Sequence, residues 1–169
     1  MNRNFTDYFS QGLPASQQCE VAHRYYIGFY KIMSELTSRF PAVLFEGCSS
    51  GGNRFDLGML CYFPQIWASD NTDAVCRCRI QNSYSYGYPQ STIASHVSDV
   101  PNHQTLRNVA LNTRFNIAAF GVLGFELDLT KLNSAEIEEI KKQVSFYKEI
   151  RNFSQFGRVH RLEFGNIVQ

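Results

Sequence analysis

Three polar clusters in this chain hold the residue types that acid–base, nucleophilic or metal chemistry needs. Residues 46–56 read Glu-Gly-Cys-Ser-Ser-Gly-Gly-Asn-Arg-Phe-Asp, residues 67–73 read Trp-Ala-Ser-Asp-Asn-Thr-Asp, and residues 96–99 read His-Val-Ser-Asp. The second cluster sets the carboxyl of Asp70 beside Trp67. An aromatic neighbour desolvates a carboxylate, which raises its pKa toward the range of a general acid. Sugar rings also lie on aromatic faces, so this pair suits a carbohydrate site. The same residues have a purely structural reading, in which Asp70 or Asp73 caps the helix that follows.

The first cluster contains Gly47-Cys48-Ser49-Ser50-Gly51, a G-x-S-x-G pattern after an apolar run. A hydrolase nucleophile elbow has that form, with Ser49 as nucleophile and Asp70 or Asp99, then His103 or His160, following in order. Gly51, Gly52 and Asn53 make a poor first helical turn behind such a serine. In the third cluster, His96 and Asp99 with nearby His103 fit no metal-ligand spacing, and Cys76 and Cys78 are too close for a zinc pair. No metal or cofactor is expected, and the five cysteines read as free thiols.

These clusters lie where an α/β chain would place them. Residues 42–46 (AVLFE) form an apolar run without alternation, which suits a strand buried on both faces. Residues 65–69, 91–95 and 118–125 are further strand candidates, and Gly121 and Gly124 leave room for close neighbours. Between the strands, residues 17–39 repeat apolar positions every three or four and read as a helix ended by Pro41. A helix capped at Asn71 or Thr72 runs to about Ser83, and another spans about 102–116. The last begins at Asn133, with Glu136 at capping-box spacing, and runs to about Phe153. Strands alternating with helices predict a parallel α/β architecture, in which chemistry sits in loops after the strand ends.

Composition removes other classes. The 169 residues carry 16 basic and 15 acidic side chains, a formal charge of +1 without the clustered excess of a nucleic-acid binder. The chain is 44% hydrophobic, too apolar for intrinsic disorder, and has no apolar run of membrane-spanning length. At this length a fold buries roughly 70% of its unfolded surface, enough for a core.

Beyond spacing, four stretches resemble one known family. CSSGGNRFDLGMLCYFPQIWASDNTDA (48–74), HVSDVPNHQT (96–105), FGVLGFELDLT (120–130) and YKEIRN…GRVHRL (147–162) are similar to the retaining α-galactosidases of glycoside hydrolase family 36. The paired CxxGxxRFD and WxSDxTD patterns are the specific part. The resemblance implies a (β/α)8 TIM barrel of which this chain is the C-terminal half, strands five to eight. Residues 1–164 would be a partial catalytic domain, and 165–169 the start of a missing C-terminal region.

The resemblance also assigns roles. Asp70 falls on the acid/base (proton donor) position, and Asn2, Cys48, Gly51 and Asp70 on substrate-binding positions. Arg54 and Asp56 are expected to support the loop. Asn53 stands where many members have glycine, which bears on fine specificity. Met1-Asn2-Arg3 matches the end of a tryptophan–aspartate–methionine–asparagine–arginine motif, so the nucleophilic aspartate would precede Met1. The implied substrate is an α-galactoside oligosaccharide of raffinose type, cleaved by double displacement without cofactor. The implied setting is a cytoplasmic homo-oligomer with no nucleic-acid or membrane partner. A truncated, non-catalytic gene product and a Ser49 hydrolase are the alternatives. A half barrel would leave two open sheet edges and expose apolar inner faces, making the isolated chain aggregation-prone.

Overall fold

A computed structural model describes residues 9–49 and 53–161. The chain alternates as the apolar runs predict. A 3-10 turn, Ala15–Glu20, leads into α1 (Val21–Arg39). Then follow β1 (Glu46–Gly47), α2 (Leu57–Leu60), β2 (Gln65–Trp67), α3 (Ala74–Tyr84), β3 (Ile93–Ser98), α4 (Leu111–Ala118), β4 (Val122–Glu126) and α5 (Ser134–Phe156). The four strands form one sheet in the order β1-β2-β3-β4, and every neighbouring pair is parallel. The registers Glu46↔Gln65, Trp67↔Ala94 and His96↔Gly124 bring the strand ends to one end of the sheet.

Alternation gives the sheet two unlike faces. Ile66, Ala68 and Ile93 pack with Phe55 and Met59 against side chains of α1, α2 and α3, including Phe29, Leu60 and Ile80. Val97 packs with Phe115, Ala118 and Tyr147, from α4 and α5. The opposite face carries most of the polar strand side chains, beside Trp67. There Gln65 Nε2 donates to the Glu46 carboxylate, Trp67 stacks on His96, and His96 Nδ1 lies 3.3 Å from Glu126 Oε2. The inner face is therefore mixed rather than wholly apolar: Glu46, Gln65, His96 and Glu126 alternate away from the helices beside Trp67 and Val122, while Val43 and Leu44 are exposed, as expected of an open inner face.

Two element expectations also change. Residues 42–44 are exposed rather than a doubly buried strand, with Leu44 70% accessible. Pairing with β2 begins only at Glu46, and an apolar segment without a partner strand has no ladder to enter. Residues 102–110 are loop, and the helix starts at Leu111. The Asn102 side chain accepts from the backbone N–H of Gln104 and Thr105, which competes with helical bonding, and Leu106 takes a left-handed φ of 57°. The last helix starts as its sequence says: Asn133 and Glu136 close a reciprocal capping box.

Gly121, just before β4, and Gly124 within it act through space. A Cβ on Gly121 would lie 2.6 Å from the Ile93 carbonyl oxygen, and one on Gly124 would lie 2.5 Å from His96 Cδ2. Gly124 thus makes room for the imidazole that stacks on Trp67.

Candidate active site

The loops after β1 and β2 meet. Cys48 follows β1 directly, and its Sγ lies 4.0 Å from Oδ1 of Asp70 in the loop after β2. Asp70 is exposed at this mouth. Asn2 and Gly51, the other two substrate-binding expectations, lie outside the described residues.

The capping question resolves in favour of Asp73. Its carboxylate accepts from the backbone N–H of Cys76 at 2.9 Å, as the N-cap of α3. It also accepts from the Thr105 hydroxyl at 2.8 Å and pairs with Arg107 Nη1 at 2.5 Å. Burial alone would raise the Asp73 pKa. The Cys76 amide, the Thr105 hydroxyl and the Arg107 charge outweigh it and hold the group below the ordinary carboxylate range. Asp73 is therefore a fixed, ionised cap, and Asp70 is free of capping duty.

The rest of this loop is pinned from several sides. Asn71 Oδ1 accepts from the Asp73 N–H, and Asn102 Nδ2 donates to the Thr72 hydroxyl, at 3.0 and 2.9 Å. Gln104 Nε2 donates to the Asp70 carbonyl at 3.3 Å. The sequence gives no aid here, because residues 102–105 read as helix.

Trp67 does not offer an open ring to a ligand. It is buried, its ring stacks on His96 with centroids 4.4 Å apart, and the Arg77 guanidinium carbon lies 4.6 Å from its centroid. No group of three or more His, Cys, Asp or Glu side chains able to hold a metal occurs among the described residues.

The support residues of the first loop behave as expected. Asp56 caps α2 by accepting from the Met59 N–H, and it accepts from the Tyr30 hydroxyl, both at 2.9 Å. Burial first, and then the Asp56 carboxylate, push the Tyr30 pKa up to about 12. The Arg54 guanidinium carbon sits 4.9 Å from the Phe29 ring centroid. Asn53 Nδ2 donates to the Ser49 carbonyl at 2.9 Å, tying the loop to itself. Ser49 has the left-handed φ of a tight turn, 57°, but its hydroxyl is buried and has no hydrogen-bond partner among the described residues. A serine nucleophile needs a base in contact and an open face, so the elbow reading loses its support.

Arg77 is the residue that the sequence reading overlooks. It is 2% exposed, and it bonds to the Ser69 and Ala94 carbonyls and to Gln81. A signal existed: Ala74, Arg77 and Gln81 are the buried positions of α3 and recur at helical spacing.

The melibiase family model matches residues 1–157. The chain is 54% identical over 162 residues to the α-galactosidase AgaA of Geobacillus stearothermophilus, and 52% identical over 163 residues to the α-galactosidase Mel36A of Lactobacillus acidophilus. Each comparison covers 96% of this chain and 22% of the relative, so the chain spans about a fifth of their length. A crystal structure of a glycoside hydrolase family 36 AgaA variant with stachyose superposes with a TM-score of 0.86 at 54% identity, over 92% of this chain and 22% of that one. A variant of the same enzyme with raffinose gives 0.83 at 54% identity, over 87% and 20%.

Proposed function

This chain belongs to the melibiase family, and from that premise we propose that it carries the acid/base half of an α-galactosidase active site. Asp70 is the acid/base. Cys48, together with Asn2 and Gly51, receives the galactosyl ring. The four strands correspond to strands five to eight of a (β/α)8 barrel, and the nucleophilic carboxylate belongs to the segment that would precede Met1. The observation that carries this reading is the meeting of Cys48 and Asp70 from successive strand ends, with Asp73 taking over the capping.

The relatives add support. The AgaA variants in the raffinose and stachyose complexes each have one aspartate replaced, at positions seventy residues apart. The same separation holds between Asp70 and a position one place before Met1.

In a double displacement, the nucleophile's carboxylate attacks the anomeric carbon while the Asp70 carboxyl gives its proton to the departing glycosidic oxygen. The resulting Asp70 carboxylate then takes a proton from water, whose oxygen attacks the anomeric carbon of the galactosyl–enzyme. The carbon–oxygen bond to the nucleophile breaks, galactose leaves, and the nucleophile returns as a carboxylate and Asp70 as an acid. Retaining enzymes hold the two groups about 5–5.5 Å apart. The exposure of Asp70 leaves it accessible to both the leaving group and water. Raffinose-type α-galactosides are the substrate class, and no metal or cofactor takes part. Cytoplasmic residence and homo-oligomeric assembly belong to the same proposal.

The test is a graft, in which this chain replaces the matched fifth of AgaA. Hydrolysis of p-nitrophenyl α-galactoside by the graft, and its loss in Asp70→Asn, supports the reading. The 169-residue chain alone should not turn over this substrate, because general acid catalysis by itself supplies about 10²–10⁴-fold. Activity of the isolated chain that survives Asp70→Ala and vanishes in Ser49→Ala would overturn the proposal in favour of the serine hydrolase. A correctly folded but inactive graft would favour the non-catalytic reading.

A further inference from the structure

Asp70 stands between two peptide groups, and a side chain holds each of them. The carbonyl of Ser69, just before it, accepts from Arg77 Nη1 at 3.1 Å. Its own carbonyl accepts from Gln104 Nε2 at 3.3 Å. The two donors come from different places, Arg77 from the buried side of α3 and Gln104 from the loop after β3.

Arg77 does more than cap one carbonyl. The β2–β3 ladder ends at Trp67↔Ala94, while β3 continues to Ser98. Past that point the strands part, and their backbone groups need other partners. The Arg77 guanidinium bridges the split, with Nη2 donating to the Ala94 carbonyl at 2.5 Å and Nη1 to Ser69. Its Nε donates to Gln81 Oε1 at 3.3 Å. Gln81 Oε1 also accepts from the Ser95 hydroxyl at 2.7 Å, and Gln81 Nε2 donates to the Ile117 carbonyl at 3.0 Å. The guanidinium is thus tied to β3 and to the end of α4.

Among the described residues no carboxylate forms an ion pair with Arg77, although it is almost wholly buried. Burial lowers its pKa to about 10, partly offset by the fields of Glu126 and Tyr84, so it remains a cation at neutral pH. A buried cation without a counter-charge is costly. Its planar fork serves two diverging carbonyls at once, which the single ammonium of lysine cannot match in geometry.

We propose that Arg77 and Gln104 are positioning residues for Asp70, fixing the two peptide planes on either side of it and so aiming its carboxyl at the glycosidic oxygen. This rests on the reading of Asp70 as acid/base. Neither side chain touches substrate in this account. They act only through the proton that Asp70 delivers.

That restriction gives the test its form. Raffinose has a sugar leaving group that needs the proton. 2,4-Dinitrophenyl α-galactoside has a leaving group stable as an anion, and kcat/KM reports the first displacement for both. In the AgaA graft, Arg77→Lys should lower kcat/KM for raffinose about 10²-fold, the scale of an ångström's misplacement of a reacting group. It should change the dinitrophenyl value by less than about threefold. Gln104→Leu, at an exposed position, should show the same contrast with a smaller loss. Equal losses on both substrates, or none on raffinose, would overturn the proposal. If Arg77→Lys fails to fold, Gln104→Leu decides alone. Asp70→Ala is run in parallel: if it lacks the leaving-group contrast, the acid/base reading fails, and with it the premise.

Discussion

The thiol of Cys48 and the carboxylate of Asp70 lie 4.0 Å apart although 22 residues separate them in sequence. Parallel pairing of β1 with β2 produces this, because it delivers successive loops to the same end of the strands. If Cys48 receives the sugar beside the acid, Cys48→Ala in the graft should act on binding rather than on the chemical step. A lost contact of about 1 kcal/mol corresponds to a roughly fivefold rise in KM, with kcat little changed. Michaelis kinetics on raffinose measure this directly.

Asp73 should be a pH-dependent stabiliser. Its pKa is lowered on folding, so its contribution is fully present above the unfolded value of about 3.9 and is lost as pH falls through the lower folded value. Asp73→Ala removes a helix cap, takes the carboxylate from Arg107 and leaves the Thr105 hydroxyl only its longer bond to Asn102, a cost of about 2–4 kcal/mol near neutral pH. Urea unfolding of the graft and its variant across pH 2 to about 7 should show the gap closing at the acid end.

Gly121→Ala and Gly124→Ala should differ in severity. The added methyl meets the Ile93 backbone carbonyl in the first case and the His96 ring in the second. A ring can rotate and a strand carbonyl cannot, so Gly121→Ala should cost about 1–3 kcal/mol and Gly124→Ala less. Thermal melts of the two grafts rank them. Gly124→Ala should also perturb Trp67 fluorescence through the displaced His96 ring.

The chain expressed alone should self-associate. α1 buries none of its residues, Ile32 is 60% exposed, and an apolar groove of about 700 Å³ lies between α1 and β1. Among the described residues, β1 and β4 also keep one unpaired edge each. Size-exclusion chromatography should give concentration-dependent association and dye binding. A monodisperse monomer with one sharp melting transition would contradict this.

Local chemistry made part of this legible in advance. The Asn133–Glu136 box depends only on two residues three positions apart, and the order of apolar runs suffices for a parallel sheet. What escaped depends on partners distant in sequence. Residues 42–44 are apolar but have no strand to join, so hydrophobicity alone misplaces the first strand. Asn102 diverts the backbone of 102–105 into a turn through its own side chain. Arg77 looks like a surface charge in CRCRIQ until two carbonyls, one from the loop after β2 and one from β3, converge on it. Among site residues, the contact of Cys48 with Asp70 is visible, while Asn2 and Gly51 fall outside the described residues.

The central claim is that Asp70 serves both displacement steps, and azide rescue tests it most directly. In the Asp70→Ala graft, the dinitrophenyl substrate should still form the galactosyl–enzyme, since its leaving group needs no acid. Release then lacks a base, and added azide should accelerate turnover and yield α-galactosyl azide, with kcat/KM for raffinose down about 10²–10⁴-fold. A graft in which Asp70→Ala leaves raffinose hydrolysis intact, or in which azide neither speeds turnover nor enters the product, would contradict the account.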